Sequence, residues 1–404
     1  MDPISVGTAV AQPGTIQYGR FDAFRHPTGQ VEFLPVMIAQ GVEEGPCLWL
    51  SAGIHGNEHT GPTILYQLLT PDLTRRLKGT LVLLPALSPI GLRTMSYVPY
   101  NVSQNPNRLW PDGRPRQPAT NPEKPPPSAV ERAFAHLFAV IQETADYLID
   151  YHNFSIGSIS FAFRDRVLYR ADENAATNRQ VAEALADRLD GMLRAYGHTI
   201  INEYPAEHYI DEDLHRSTSG AALLVGRIPA FTVELGTDRV PDPAIVRASL
   251  AGTRNVMRWA GMLDGEMEPI TGIPVIDAGY PVRRSRALRA TEPCVLLHLV
   301  QAGDWLEAGQ PVAEVRDIWG RPLGDGVLRA TQKGFVMGRT HGIYYNEGDP
   351  VLTLAVPDES ARTGPYPDDY FRQDSPEISR ARTQKKAAAA RAGRLPPQNV
   401  ANTP

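Results

Sequence analysis

Cys47-Leu48-Trp49-Leu50-Ser51-Ala52-Gly53-Ile54-His55-Gly56-Asn57-Glu58-His59-Thr60-Gly61-Pro62 joins an apolar run to a glycine-rich turn. Cys47 to Ala52 reads as a buried strand that ends at Gly53. His55 and Glu58 follow, three residues apart, at the carboxyl end of that strand, which is where α/β sheets place their sites. Imidazole nitrogen and carboxylate oxygen suit zinc, and two of them on one turn can share an ion. The glycines permit the tight backbone path that such a turn needs. His-x-x-Glu occurs often by chance, and its place directly after a strand is what gives it weight.

The same residues fit a second pattern, His55-x-x-Glu58-His59, in which both histidines ligate a metal and the glutamate is the base. That pattern requires a helix, so that residues i and i+4 share a face. Gly53, Gly56, Gly61 and Pro62 crowd the segment and argue against one. His59 therefore reads as a hydrogen-bonding neighbour and not as a ligand.

Outward from this turn the chain alternates strands with helices. Phe33 to Ala39, Leu81 to Leu84, Tyr147 to Tyr151 and Ile228 to Leu235 read as strands, the last ending at Gly236. Thr63 to Leu69 reads as a helix started by Pro62. Ser128 and Glu131 make a capping box ahead of a stripe of Val130, Phe134, Leu137, Phe138 and Ile141. A third helix covers Asn174 to Tyr196, with Val181, Leu185, Leu189, Met192 and Tyr196 at helical spacing and Gly197 closing it. A last one covers Pro243 to Trp259. The alternation predicts an α/β fold with a mixed or parallel sheet flanked by helices.

Seven prolines within residues 111–128 predict an extended surface loop. After about Gly265 the helical period disappears, and short β-rich runs separated by Gly, Asp and Pro extend to Val356. The expected organisation is a catalytic domain over 1–264, a small all-β domain over 265–356 and a disordered tail over 357–404. The chain has 404 residues, enough for two or three domains, since one core rarely outgrows roughly 250–300 residues.

Composition narrows the function classes. Apolar residues make up 42% and charged residues 21%, which leaves room for a sizeable core. A net charge of −5 carries no basic footprint for nucleic acid. No run of about 18 apolar residues predicts a membrane span, and Met1-Asp2-Pro3 opens no secretory signal, so the cytoplasm is the expected location. Cys47 and Cys294 are too few for a disulfide framework or a cysteine-rich zinc site. They read as buried thiols. The abundance of Arg, Ala and Pro fits a GC-rich bacterial genome.

Further candidates come from other strand ends. His152 follows Tyr147-Leu148-Ile149, and Asp150 lies two residues earlier on the same face of a strand, placed to support it. Arg108, in Asn105-Pro106-Asn107-Arg108-Leu109-Trp110-Pro111, can hold a substrate carboxylate in a bidentate fork. Asn107 can support that group or an oxyanion. Glu234 sits in the apolar run Thr232-Val233-Glu234-Leu235-Gly236, where burying it unpaired would be costly. It is either half of a buried salt bridge or a general base tuned by its site.

Together, Gly53-x-His55-Gly56-Asn57-Glu58, Asn107-Arg108, His152 and Glu234-Leu235-Gly236 resemble the succinylglutamate desuccinylase and aspartoacylase family, which is related to the zinc carboxypeptidases. The resemblance covers roughly residues 30–356. It implies a zinc carboxypeptidase-like mixed sheet sandwiched by helices, with a C-terminal all-β barrel-like domain that narrows the entrance. By the same resemblance His55, Glu58 and His152 bind one zinc ion, Asn107 and Arg108 hold substrate, and Glu234 is the catalytic acid/base. It further implies a small N-acylated substrate, no nucleic-acid or membrane partner, and a homo-oligomer. Two departures touch the acyl pocket: Asp150-Tyr151-His152-Asn153 replaces the family's usual Asp-Leu-His-Thr, and Asn105-Pro106 replaces Asp-Leu. Gly303 to Val315 also resembles the turn of biotinyl and lipoyl domains, but no carrier hairpin surrounds Lys333. The expected reaction is hydrolysis of a small amide bond. A carboxypeptidase-like peptidase and a non-catalytic binding protein on the same fold are the alternatives.

Overall fold

The run around Cys47 forms the strand Glu43–Ala52, and its last six residues are all buried. Helices on both sides explain this, because a strand covered on both faces reads as a continuous apolar run. The structure, a computed structural model, describes residues 3–114, 126–237 and 239–371.

Glu43–Ala52 lies within a twelve-stranded mixed sheet. Across the sheet the order runs Trp305–Leu306, Gly334–Arg339, Leu352–Pro357, Val282–Ser285, Thr199–Asn202, Ser160–Arg164, Ala230–Thr237, Tyr147–Phe154, Glu43–Ala52, Lys78–Leu84, Val31–Gln40 and Ile16–Arg25. The centre is parallel: Tyr147–Phe154 pairs with Glu43–Ala52 on one side and with Ala230–Thr237 on the other. Register there places Asp150 beside Ser51 and Thr232, and His152 beside Glu234.

Alternation along these strands sends neighbouring side chains to opposite faces. Tyr151 points to one face, where its hydroxyl meets Thr253 of the helix Pro243–Trp259 at 2.6 Å. Asp150 and His152 point to the other, together with Thr232, whose hydroxyl lies 2.9 Å from Ser219 of the helix Thr218–Leu224. Four longer helices fall where periodicity places them: Thr60–Leu68, Ala129–Thr144 with its capping box, Ala175–Tyr196 ending at Gly197, and Pro243–Trp259. One residue of the expected stripes departs: Val181 is 53% exposed, and the buried face of its helix begins at Ala182 and Leu185.

The chain beyond Trp259 carries strands only among the described residues. It is less detached than its change of pattern suggests. Val282–Ser285, Leu352–Pro357, Gly334–Arg339 and Trp305–Leu306 extend the main sheet. A four-stranded sheet built on Cys294–His298 has its own core around Leu296, Val312 and Leu354. A second cluster joins Phe161, Phe163 and Ile201 to Val282, Phe335 and Met337, so the two parts share apolar contacts. The extension meets the edge of Thr199–Asn202 at one position, where Asn202 pairs with Arg283. Cys47 and Cys294 are both free and buried.

Residues 357–371 correct the expectation of a disordered tail. Thr363–Pro365 pairs in parallel with Val167–Tyr169, and Tyr366 and Tyr370 are buried in the main core. These aromatics supply the apolar area that an Arg- and Ala-rich tail otherwise lacks. Residues 372–404 lie outside the described residues, as do 115–125 of the proline-rich loop. No helix among the described residues is long and apolar enough to cross a membrane.

Residues 357–371 form a strap fastened by Arg166, which is 1% exposed. It donates to Asp358 Oδ2 at 2.7 Å and to the carbonyls of Glu203, Tyr204, Ser360 and Ala361. Removing one partner of a buried pair strands the other charge, at a cost of about 3–5 kcal/mol. Asp358→Ala is expected to lower unfolding stability by that amount in a denaturant titration. A loss below about 1 kcal/mol would show that the strap does not depend on this pair.

Candidate metal centre

The turn after Ala52 has the shape its glycines permit. Gly53 takes a φ of +64°, and a Cβ on Gly56 would fall 1.9 Å from the carbonyl carbon of Gly91. The His59 side chain caps no helix hydrogen bond. Its ring nitrogens lie 3.0 Å from Arg239 O and 3.2 Å from Gly56 O, and the helix starts only at Thr60. The helical pattern His55-x-x-Glu58-His59 is thus broken by the glycines, and His55 and His59 do not share a helical face.

His55, Glu58 and His152 are each 3% exposed, and one donor atom from each lies within 4.8 Å of the others. His55 Nδ1 stands 2.8 Å from Glu58 Oε1, and His152 Nδ1 stands 3.0 Å from Glu58 Oε2. The far nitrogens of both rings face fixed acceptors. His55 Nε2 is 2.9 Å from Asn105 Oδ1, which is oriented by the Asn107 backbone N–H at 2.8 Å. His152 Nε2 is 2.8 Å from Asp150 Oδ2, and Asp150 Oδ1 accepts from Ser51 Oγ at 2.6 Å.

These acceptors take the Nε2 proton of each ring. The Nδ1 lone pairs are then left pointing at the two oxygens of one carboxylate. Neutral rings in that tautomer repel the carboxylate, so the arrangement needs positive charge at its centre, either two extra protons or one cation. Burial pushes the Glu58 carboxyl up, but His55 and His152 outweigh it and hold it down at about 2. Burial lowers His152, and Asp150 with Glu58 more than reverse that, raising it well above its ordinary value. Two nitrogens and a carboxylate are a donor set that fits zinc, with open positions for water and substrate.

Glu234 is adjacent to His152 in register and 9% exposed. Among the described residues it has no ion-pair partner, which removes the salt-bridge reading, and its Oε2 is buried without a hydrogen bond. Burial pushes its carboxyl up to about 8 against the pull of His152, with Glu58 adding to the rise. A carboxyl in that range exchanges a proton near neutral pH.

Asn107 and Arg108 sit on the short turn Pro106–Arg108. Asn107 faces His152: its Nδ2 lies 3.3 Å from His152 Nε2, and its Oδ1 accepts from Thr218 N and Oγ1 at 2.9 and 3.1 Å. Its amide is thereby committed to the ligand's surroundings. Arg108 donates to two backbone carbonyls, Glu212 O at 2.9 Å and Asn107 O at 2.7 Å. No carboxylate among the described residues pairs with it, and burial pulls its pKa down. Asn153, the departure beside His152, ties three elements together by donating to Thr60 Oγ1, Leu235 O and Thr237 O.

Residues not anticipated also form the site. Tyr97 stacks on His55 with ring centroids 3.8 Å apart and receives a hydrogen bond from Asn105 Nδ2 at 3.2 Å. Asn-Pro at 105–106 is a local turn signal, but nothing near Tyr97 in sequence marks it. Three arginines elsewhere in this domain hold structure: Arg164 pairs with Asp190, Arg216 with Glu131, and Arg227 donates to Leu168 O.

Comparison with known proteins gives the family and the fold. Over 331 residues the chain is 25% identical to the N-alpha-acetyl-L-2,4-diaminobutyric acid deacetylase of Halomonas elongata, covering 78% of this chain and 84% of that protein. Its fold is similar to a succinylglutamate desuccinylase of Silicibacter sp., with a TM-score of 0.66, 18% identity, and coverage of 88% of this chain and 98% of the other. The same scores and coverage hold for the product-bound ectoine utilization protein EutE (DoeB) of Ruegeria pomeroyi. The family model of the succinylglutamate desuccinylase/aspartoacylase catalytic domain matches residues 44–260, more than half of the chain. With the fold shared and this domain matched from the first metal-site strand through the last long helix, the chain belongs to the succinylglutamate desuccinylase/aspartoacylase family.

Proposed function

We propose that this protein is a zinc-dependent hydrolase that removes the acyl group from an N-acyl amino acid or a related N-acyl amine. The observation that carries the reading is the convergence of His55 Nδ1, His152 Nδ1 and the Glu58 carboxylate beside an unpaired, buried Glu234. Zinc bound there would supply a Lewis acid for the amide carbonyl and make water a stronger acid. The name of the Halomonas relative supports an N-acyl amino acid as substrate.

Glu234 takes a proton from the attacking water and passes one to the departing amine nitrogen, as the C–O bond forms and the C–N bond breaks. Arg108, charged and without a carboxylate of its own, holds the carboxylate of the substrate. Asp150 sets the tautomer of His152, and Asn105 that of His55. The near-complete burial of these groups favours a small substrate over a polypeptide. We also read the sheet, with its His, Glu and His at strand ends, as the frame of the zinc carboxypeptidases.

Glu234→Gln is expected to retain its metal, measured by elemental analysis, while turnover of the preferred N-acyl amino acid falls by about 10²–10⁴. Full activity in that variant would remove Glu234 from the mechanism. Asp150→Ala is expected to weaken zinc binding by about 10–100-fold in a competition titration with a chromophoric chelator. Unchanged affinity would mean that the Asp150 contact does not support His152 as a ligand.

A further inference from the structure

The two ligand histidines are held by unlike partners. Behind His152 stands a carboxylate: Asp150, fully buried, takes its Nε2 proton and is itself held by Ser51. Behind His55 stands a neutral amide, that of Asn105, whose Oδ1 lies 2.9 Å from His55 Nε2. A hydrogen bond to a charged acceptor is roughly twice as strong as one to a neutral acceptor. His55 is therefore the less firmly supported ring of the pair, and it is the ring that a further side chain covers.

That side chain is Tyr97. Its ring lies on the His55 imidazole with centroids 3.8 Å apart and planes 17° from parallel. Its hydroxyl oxygen accepts from Asn105 Nδ2 at 3.2 Å. The direction of that bond is fixed, because Asn105 Oδ1 already accepts from the Asn107 backbone N–H at 2.8 Å and takes the His55 proton. The amide has one orientation, and His55 and Tyr97 sit at its two ends. Backbone bonds tie the same segment to the ligand turn: Ser96 N donates to Gly91 O at 3.1 Å, and Ser96 O accepts from Gly56 N at 3.0 Å. Met95, which follows the helix Pro89–Thr94, takes a φ of +49°, a region that side chains rarely adopt, and turns the chain back toward the metal centre.

Exposure sets the order of the layers. Tyr97 is 46% exposed and His55 only 3%. The Tyr97 ring is thus the layer between one face of a ligand and solvent. Displacing it would bare that face and free the Asn105 amide to turn.

We propose that Tyr97 is a positioning residue that acts on the metal through His55, holding the ring in its ligating orientation and slowing the loss of zinc. The inference rests on the reading of His55, Glu58 and His152 as zinc ligands.

The test is the rate at which the zinc-loaded full chain gives up its metal to an excess of a chromophoric chelator. Tyr97→Ala is expected to release zinc at least about tenfold faster than the wild type, the lower end of what losing an outer partner of a ligand costs in affinity. Tyr97→Phe keeps the stack and loses only a hydroxyl whose place water can take, and it is expected to bring the rate back to within about threefold. Tyr97→Leu, which fills the space without a flat face, is expected to behave as Tyr97→Ala and serves if that variant does not fold. Tyr100→Ala removes an exposed ring of the same segment and is expected to leave the rate unchanged. In the cobalt-substituted protein, Tyr97→Ala is expected to shift the visible absorption bands that report ligand geometry, whereas Tyr100→Ala leaves them in place. Release from Tyr97→Ala within about twofold of the wild type, or an equal acceleration in Tyr100→Ala, would overturn the proposal. Turnover of N-acyl amino acids separates it from the wider reading. An active enzyme whose zinc release ignores Tyr97 overturns this inference alone. Tyr97-dependent release from a chain that deacylates none of them supports the inference and overturns the hydrolase. A wild type that takes up no zinc overturns both.

Discussion

One carboxylate facing two imidazole lone pairs is the constraint on which the site is built. Glu58 meets His55 and His152 through Nδ1 on both sides, and each Nε2 is already committed to a side-chain oxygen. Left to itself that arrangement is repulsive, and a cation at its centre turns it into a stable one. The supporting shell follows from the same need. Asp150 and Ser51, both buried, and the partly buried Asn105 hold those rings in one tautomer, and a buried carboxylate such as Asp150 is tolerated because it is hydrogen-bonded twice.

The sheet turns this local demand into a working surface. A period of two sends Asp150 and His152 to one face and Tyr151 to the other, so a single strand serves both the site and the core. Its parallel neighbours place Ser51 and Glu234 beside these residues without any long side-chain reach. Glu234 then stands between His152 on one strand and Phe161 on the other. That environment keeps its carboxyl ready to exchange a proton near neutral pH.

The C-terminal β-rich part brings a charge of its own to the main sheet. Its first sheet strand meets Thr199–Asn202 and sets Arg284 in an ion pair with Glu203. The strap that follows leaves the β-rich part through Asp358, which Arg166 holds, and pairs with Val167–Tyr169 in a small two-stranded sheet of its own.

What the sequence by itself determined is whatever depends on neighbours in the chain. His55 and Glu58 share one glycine turn, Asp150 and His152 share one strand face, Ser128 and Glu131 share one helix start, and Glu234 stands alone in an apolar run. Each is legible because a period or a cap fixes the relation between residues a few positions apart. The same rule failed where the tertiary setting decides burial: Val181 keeps the helical spacing yet overhangs the core, and Tyr366 and Tyr370 look like parts of a loose tail yet are buried. Only the tertiary structure brought Tyr97 onto His55, turned the amide of Asn107 to His152, left Glu234 without a salt bridge, and set Arg284 beside Glu203 and Asp165. Those contacts join residues tens to more than a hundred positions apart, and the order and register of strands in a sheet, which no local pattern encodes, determine which of them meet.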